Sequence, residues 1–285
     1  MSELKNKTFL ITGANTGIGR VTAETLADRG AHVVLACRSE ERTQPVIDAI
    51  SDKYGHDRVD FIPLDLASFD SIKNATHQFL DLNIPLHGLI LNAGVAGKKG
   101  LTKEGFEFTF GVNHIGHFLF TLPLVEKLKE SAPARVVTVA SMGHYKAEEG
   151  FDWKALREKT STKTGFPEYC VSKLANVLFS AELGRRLEGS GVTTYSLHPG
   201  EVASDIWRSL PRPVAWAAKK FMMSNVEGAQ TSLFCATDDS VGDETGMYYH
   251  KNQKKKRPSR FGRDPELAKE LWERSLEWTG LEDLS

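Results

Sequence analysis

Cysteine is scarce: the chain of 285 residues holds three, Cys37, Cys170 and Cys235. An odd number, with no C-x-x-C pair and no histidine-rich spacing, supports neither a disulfide framework nor a zinc site, and no metal is expected. Long apolar runs are missing too, and the longest fall far below the roughly 18 residues that suggest a membrane span. The opening Met1-Ser2-Glu3-Leu4-Lys5-Asn6-Lys7 has no apolar core before the strand-like Thr8-Phe9-Leu10-Ile11, which leaves no room for a secretory signal. Charge of one sign is lacking as well, since 36 lysines and arginines face 37 aspartates and glutamates for a net charge of −1. Without an overall field, neither nucleic acid nor an anionic membrane is an expected partner. The one basic cluster, Lys254-Lys255-Lys256-Arg257, has no apolar periodicity around it and reads as a solvated loop rather than a phosphate or membrane patch. These absences predict a soluble protein of a reducing, cytoplasmic compartment.

What the chain does have is alternation. Short apolar runs at Phe9–Ile11, His32–Ala36, Phe61–Leu64, Leu86–Leu91, Val136–Ala140 and Val192–Leu197 are separated by longer segments of helical spacing. Strand, helix, strand repeated in this way predicts an α/β fold: a doubly wound parallel sheet with helices on both faces, the Rossmann arrangement. Runs nearly continuous in Val, Ile and Leu imply burial on both faces, as in a parallel sheet. Between the first two runs Ile18, Val21, Thr22, Thr25 and Leu26 recur at three- and four-residue steps, as one buried helix face requires. No Pro/Gly/Ser-rich linker and no fixed-period repeat interrupts the pattern, so residues 1–285 read as a single domain. The last third predicts a helix over Val226–Ala236, a strand at Met247–Tyr249 and a helix over Pro265–Trp278 opened by Asp264-Pro265. Residues 204–223, with Trp207, Trp216, Phe221, Met222 and Met223, carry many aromatics for a connection and read as a substrate lid.

After the first strand comes Thr12-Gly13-Ala14-Asn15-Thr16-Gly17-Ile18-Gly19, and then the amphipathic helix. A pyrophosphate needs backbone N–H groups within about 3 Å, which a turn without obstructing side chains permits, and the helix N-terminus adds favourable charge. Gly13 and Gly17 would supply the turn and close approach, with Asn15, Thr16 and Ile18 beside them, and Gly19 would let the helix pack on the strand. The dinucleotide is then chosen at the end of the second strand, where an acid would hold a ribose 2′-hydroxyl. There the sequence reads Ala36-Cys37-Arg38: Cys37 stands in place of the acid, and Arg38 offers a guanidinium suited to a 2′-phosphate. That predicts NADP(H) in preference to NAD(H), with Arg20 as a possible second positive charge; the alternative is that Arg38 caps a surface strand end.

Tyr169 and Lys173 are four residues apart on a helix that runs on through Leu174, Val177, Leu178 and Leu183, so they share a face. An ammonium close to a phenol lowers the phenol pKa from about 10 and makes it a usable acid or base. Such a pair alone is common on helices. In the order glycine turn, Asn92-Ala93-Gly94, Asn113, Ser141, Tyr169 with Lys173, and His198-Pro199-Gly200, however, the chain resembles the short-chain dehydrogenase/reductase family over nearly its whole length. More narrowly, Leu35 to Arg38, Gly111-Val112-Asn113-His114-Ile115-Gly116-His117-Phe118, Tyr169 to Asn176 and Gly191 to Gly200 look like the retinol dehydrogenase branch.

The resemblance implies a catalytic set of Asn113, Ser141, Tyr169 and Lys173. Tyr169 would protonate a developing alkoxide as the nicotinamide delivers hydride, and Ser141 would hydrogen-bond the same oxygen. Lys173 would hold the nicotinamide ribose and depress the Tyr169 pKa, while Asn113 would complete a water-linked proton path. It further implies Asp65 and Leu66 near adenine, Asn92, Ala93 and Gly94 beside the ribose, and Pro199, Gly200 and Val202 at the nicotinamide amide. Asp65 also reads as a strand-end turn residue, and His114 and His117 as packing or capping groups.

Two departures bear on substrate and assembly. Ser141 and Tyr169 stand about twice as far apart as in the commoner family pattern, through an insertion over 143–167. That segment would shield the helices through which many family members associate, which predicts a monomer or an atypical dimer. The amino-terminal anchor of many retinol dehydrogenases is also missing from this sequence, so small apolar aldehydes, ketones and alcohols, whether retinoid-, steroid- or aromatic-like, all remain candidate substrates. The competing readings are a catalytically silent NADP(H)-binding sensor or scaffold of the same fold and a reductase acting on C=C bonds.

Overall fold

In the computed structural model, which describes residues 3–202 and 223–284, the apolar runs become strands. These are β1 (Thr8–Thr12), β2 (His32–Cys37), β3 (Val59–Pro63), β4 (Gly88–Leu91), β5 (Ala134–Val139), β6 (Val192–Leu197) and β7 (Met247–His250). They pair in parallel in the order β3-β2-β1-β4-β5-β6-β7, and β8 (Lys254–Lys255) adds antiparallel to β7. Alternate side chains along each strand enter two separate cores, as a strand's period of two requires. Leu10, Val34, Leu89 and Val136 point to one face, where α3 (Phe69–Asp81), α4 (Phe108–Glu130), α5 (Phe166–Arg186) and α7 (Pro265–Thr279) cover them. Phe9, Ile11, Leu35 and Val137 point to the other, under α1 (Gly17–Asp28), α2 (Glu40–Tyr54) and α6 (Asn225–Thr237). The predicted doubly wound α/β sheet is therefore the observed one.

The helix ends follow their caps. Ser224 and Glu227 form a reciprocal capping box at the start of α6, and Asp264 accepts from the backbone of Glu266 and Leu267 ahead of Pro265.

One sequence expectation needs correction. Lys254-Lys255 is an edge strand rather than a loop; its exposed lysines suit an edge, where charge discourages further pairing, and Lys255 meets Glu244 at 2.6 Å. By length and composition alone α4, a 23-residue helix, could cross a membrane, although no uninterrupted apolar run marks it in the sequence. Polar residues such as Thr109, Asn113, His114 and His117 break up the run. The most apolar 18-residue stretch of the helix is 94% buried inside the fold, packed through Phe118 against Phe179 and Trp272 with ring centroids 5.8 and 5.0 Å apart.

Within α4, Gly111–Ile115 forms a π turn that carries Asn113. Residues 143–167 hold two 3₁₀ turns, Met142–Lys146 and Ala155–Arg157, at their start and middle. They lie against the start of α4 and the end of α7: Glu107 N donates to Leu156 O at 2.9 Å, and the Trp153 and Trp278 rings are 6.3 Å apart. Of the segment 204–223, only Met223 falls among the described residues, and its N–H donates to Glu201 O at 2.9 Å.

Candidate functional site

β1 has β2 on one side and β4 on the other, so the loops leaving β1 and β4 diverge and open a crevice at the carboxyl ends of the strands. A cavity of about 790 Å³ occupies it. The glycine turn forms its floor: Gly13 and Gly17 take φ of 68° and 60°, which side-chain-bearing residues rarely adopt. A Cβ on Gly19 would stand 2.4 Å from both Gly13 O and Asn92 Nδ2, so only glycine lets α1 start this close to β1. Asn92 fixes the turn by donating to Thr12 O at 2.9 Å and Gly13 O at 3.3 Å, and Ala93 N donates to Thr12 Oγ1 at 2.9 Å. Asn15, Thr16 and Ile18 line the same floor, and Gly94, Pro199, Gly200 and Val202 line the far walls.

At the end of β2, Arg38 lines the cavity and so does Arg42, in the first turn of α2, with Ser39 between them. Arg42 escaped the sequence reading, although its four-residue spacing from Arg38 was there to be seen. Arg20 is not at the cavity; its guanidinium pairs with Glu24 at 2.7 Å along the helix. Burial pushes the Cys37 thiol up, against backbone N–H groups of the glycine turn and the Thr43 hydroxyl that favour its thiolate. No negative charge therefore arises where an acid would sit. Asp65 and Leu66 line the wall opposite. Asp65 also fills its turn role, accepting from Ala67 N at 3.0 Å.

Ser141, Tyr169 and Lys173 meet at the other end of the cavity. Ser141 caps the turn after β5 by accepting from Gly143 N at 3.0 Å. The Ser141 hydroxyl also hydrogen-bonds Tyr169, yet burial dominates and pushes the phenol up to about 12. Burial pulls the Lys173 ammonium down to about 7. Its Nζ donates to Val139 O at 2.7 Å and lies 5.7 Å from the centre of the Tyr169 ring. The net direction for Tyr169 is therefore upward: burial dominates, and the neighbour that favours its phenolate is the Ser141 hydroxyl.

Asn113 does not line the cavity. It sits fully buried behind Gly94, with Oδ1 accepting from Val95 N at 2.8 Å and Nδ2 donating to Val95 O and Ser172 Oγ, each at 3.0 Å. His114 is packed among Phe110, Phe118 and Phe179 and meets Ser275 Oγ at 3.0 Å. Residues that sequence reasoning missed include Met142 and Phe166 at the exposed mouth, with Lys98 and Lys146 beside them. His198 also lines the cavity; it is buried, and neither ring nitrogen has a hydrogen-bond partner among the described residues.

Comparison with known proteins matches this arrangement to a family. Residues 7–152 match the family model for short chain dehydrogenases. Over 282 residues the chain is 43% identical to retinol dehydrogenase 11 of Mus musculus, covering 98% of this chain and 88% of that protein. It is 40% identical over 289 residues to dehydrogenase/reductase SDR family member 13 of Bos taurus, covering 99% and 75%. A crystal structure of an uncharacterized protein from Mycobacterium Paratuberculosis superposes with a TM-score of 0.74 at 30% identity, covering 99% and 96%. A short chain dehydrogenase from Escherichia coli CFT073 complexed with NADPH shares the fold, with a TM-score of 0.69 at 21% identity over 88% of this chain and 98% of that one. The chain belongs to the short-chain dehydrogenase family, oxidoreductases that use nicotinamide cofactors, and within it to the retinol dehydrogenase-like branch.

Proposed function

We propose that the chain is an NADP(H)-dependent oxidoreductase that interconverts an apolar aldehyde or ketone and its alcohol, with Tyr169 as the acid or base. The observation that carries this reading is the polarity of one cavity: Arg38 and Arg42 at one end, Ser141, Tyr169 and Lys173 at the other, and a glycine floor between. A dinucleotide fits that floor because the Gly17 side opens onto it, with Asn225 Oδ1 the nearest atom to a Cβ built there, at 3.8 Å. The turn from Gly13 to Gly19 would hold the pyrophosphate, Arg38 and Arg42 the 2′-phosphate, Asp65 and Leu66 the adenine, Asn92, Ala93 and Gly94 the ribose, and Pro199, Gly200 and Val202 the nicotinamide amide. When bound, the nicotinamide supplies or accepts the hydride.

The chain's own residues handle the proton. A phenol held at about 12 is protonated near neutral pH, which suits it to protonate the alkoxide of a carbonyl being reduced. Ser141 would donate to the same oxygen, a contact whose loss costs about 3 kcal/mol in comparable sites. Lys173, brought to about 7, could return a proton to Tyr169 near neutral pH, and Asn113 would complete a water-linked path to it, as the family resemblance implies. Apolar Met142 and Phe166 at the mouth favour a retinoid-, steroid- or aromatic-like substrate.

We further place the protein in the cytoplasm as a monomer or an atypical dimer; a sedimentation mass of a tetramer would refute the latter. The function is tested by following NADPH and NADH oxidation over retinal, steroid ketones and aromatic aldehydes. Turnover with NADPH preferred is expected. NADPH binding with no turnover on any carbonyl or alcohol would make the chain a silent binder instead, and a preference for NADH would refute the roles of Arg38 and Arg42.

A further inference from the structure

His117 lies on α4 four residues beyond Asn113, is 1% exposed, and has both ring nitrogens engaged. Nδ1 is 3.0 Å from the Asn113 backbone oxygen, and Nε2 is 3.0 Å from Thr12 Oγ1. A carbonyl only accepts, so Nδ1 carries the hydrogen. Burial pulls the imidazole down to about 4, so near neutral pH it holds a single ring hydrogen and Nε2 is an acceptor. The Thr12 hydroxyl must then donate to Nε2, which leaves its oxygen free to accept Ala93 N–H at 2.9 Å. The result is one chain of fixed direction: Ala93 N–H to Thr12, Thr12 O–H to His117, His117 Nδ1–H to the Asn113 carbonyl.

The two ends of that chain belong to different halves of the site. Thr12 and Ala93 hold the glycine turn and the wall beside it, through contacts shared with Asn92. Asn113 stands in the π turn of α4, and its side chain continues through Ser172 Oγ to the Tyr169 carbonyl, 2.8 Å away. Both ring nitrogens are satisfied, as a buried imidazole requires, and the groups that satisfy them belong to the two halves of the site.

We propose that His117 is a positioning residue that couples the glycine turn to the Asn113 carbonyl, an oxygen that Asn176 also approaches at 2.8 Å, so that cofactor seating and proton return are linked through one imidazole. The proposal rests on the oxidoreductase reading above. It predicts that the two functions can be separated by shortening or lengthening the side chain. Asn carries an amide nitrogen near the position of Nδ1 and keeps the bond to Asn113 while losing Thr12; Gln reaches the position of Nε2 and keeps Thr12 while losing Asn113.

The experiment measures the NADPH dissociation constant, kcat and melting temperature of the full chain with His117→Asn, His117→Gln and His117→Phe. His117→Asn should weaken NADPH binding roughly 5- to 10-fold with kcat within about twofold, and His117→Gln should lower kcat roughly 5- to 10-fold with NADPH affinity within about twofold. His117→Phe should show both losses. Equal losses of affinity and kcat in the Asn and Gln variants, or no loss in either, would overturn the proposal in favour of simple packing. Should these variants fail to fold, Thr12→Val must weaken NADPH binding and Thr12→Ser must restore it; equal affinities for those two would also overturn it. Wild-type chain that binds NADPH but turns over no carbonyl would refute the oxidoreductase reading, and the affinity measurements would still judge the link from His117 to Thr12.

Discussion

At the scale of single residues, the proposed reaction turns on Tyr169 being a protonated acid. Tyr169→Phe is expected to lower turnover by about 100- to 10,000-fold while NADPH still binds, checked by steady-state rates beside a binding titration. The pH dependence follows from the sign of the shift. Alcohol oxidation needs the phenolate, whose population grows as pH rises toward about 12, so oxidation should climb through the alkaline range. Carbonyl reduction should stay level across neutral pH on the Tyr169 side. An oxidation rate that saturates below neutral pH would contradict this. Arg42→Ala is expected to weaken NADPH binding roughly 10- to 150-fold and leave NADH unchanged, because a charge-assisted hydrogen bond contributes about 1.5–3 kcal/mol. Tyr169 and Lys173 were legible in the sequence because four-residue spacing puts two side chains on one helix face. The direction of their shifts was not, since burial on both sides of α5 comes from α4, the turn after β5 and α7, none of which a local pattern contains. Arg20 and Arg42 illustrate the same limit: the sequence pointed to Arg20 and passed over Arg42, and only the path of each helix tells which guanidinium reaches the cavity.

At the scale of elements, the glycine turn and the π turn of α4 position everything else. Gly19→Ala should abolish NADPH binding measured by titration, because its Cβ would meet Gly13 O and Asn92 Nδ2 at 2.4 Å and neither can move without opening the turn. Binding at wild-type affinity would show that α1 can shift away. The start of that turn was legible because strand, glycines and helix follow one another within a few residues. β8 was not, since two exposed lysines carry no strand signal and pair only because β7 ends beside them. α4 was hidden for a different reason: its polar residues face partners inside the fold, as Asn113 faces Val95 and His114 faces Ser275, and a hydropathy run counts them as interruptions.

At the scale of the whole molecule, buried neutral histidines make the fold sensitive to acid. Burial holds His114 at about 3 and His117 and His144 at about 4, below their unfolded value of 6.5. The unfolded chain therefore binds more protons between about pH 4 and 6.5, so the stability these groups contribute is complete above 6.5 and falls as pH drops through that window. The fully buried His114 and His117 should each lose about 2 kcal/mol between pH 7 and 5, lowering the melting temperature by several degrees. An unchanged melting temperature would place these imidazoles in contact with water. The order of strands and the place of the crevice follow from the alternation read in the sequence, because a doubly wound sheet must reverse somewhere and a glycine turn after β1 marks where. The claim that rests on all of this is that hydride moves between NADP(H) and a carbonyl carbon in this cavity with Tyr169 supplying the proton. The most direct measurement follows deuterium from NADPH, labelled on the reacting nicotinamide carbon, into the alcohol formed from an aromatic aldehyde or retinal, in wild type and Tyr169→Phe. Label on the carbinol carbon is expected with wild type and almost none with Tyr169→Phe at full NADPH occupancy; equal transfer by both proteins, or none by wild type on any carbonyl, would contradict the proposed reaction.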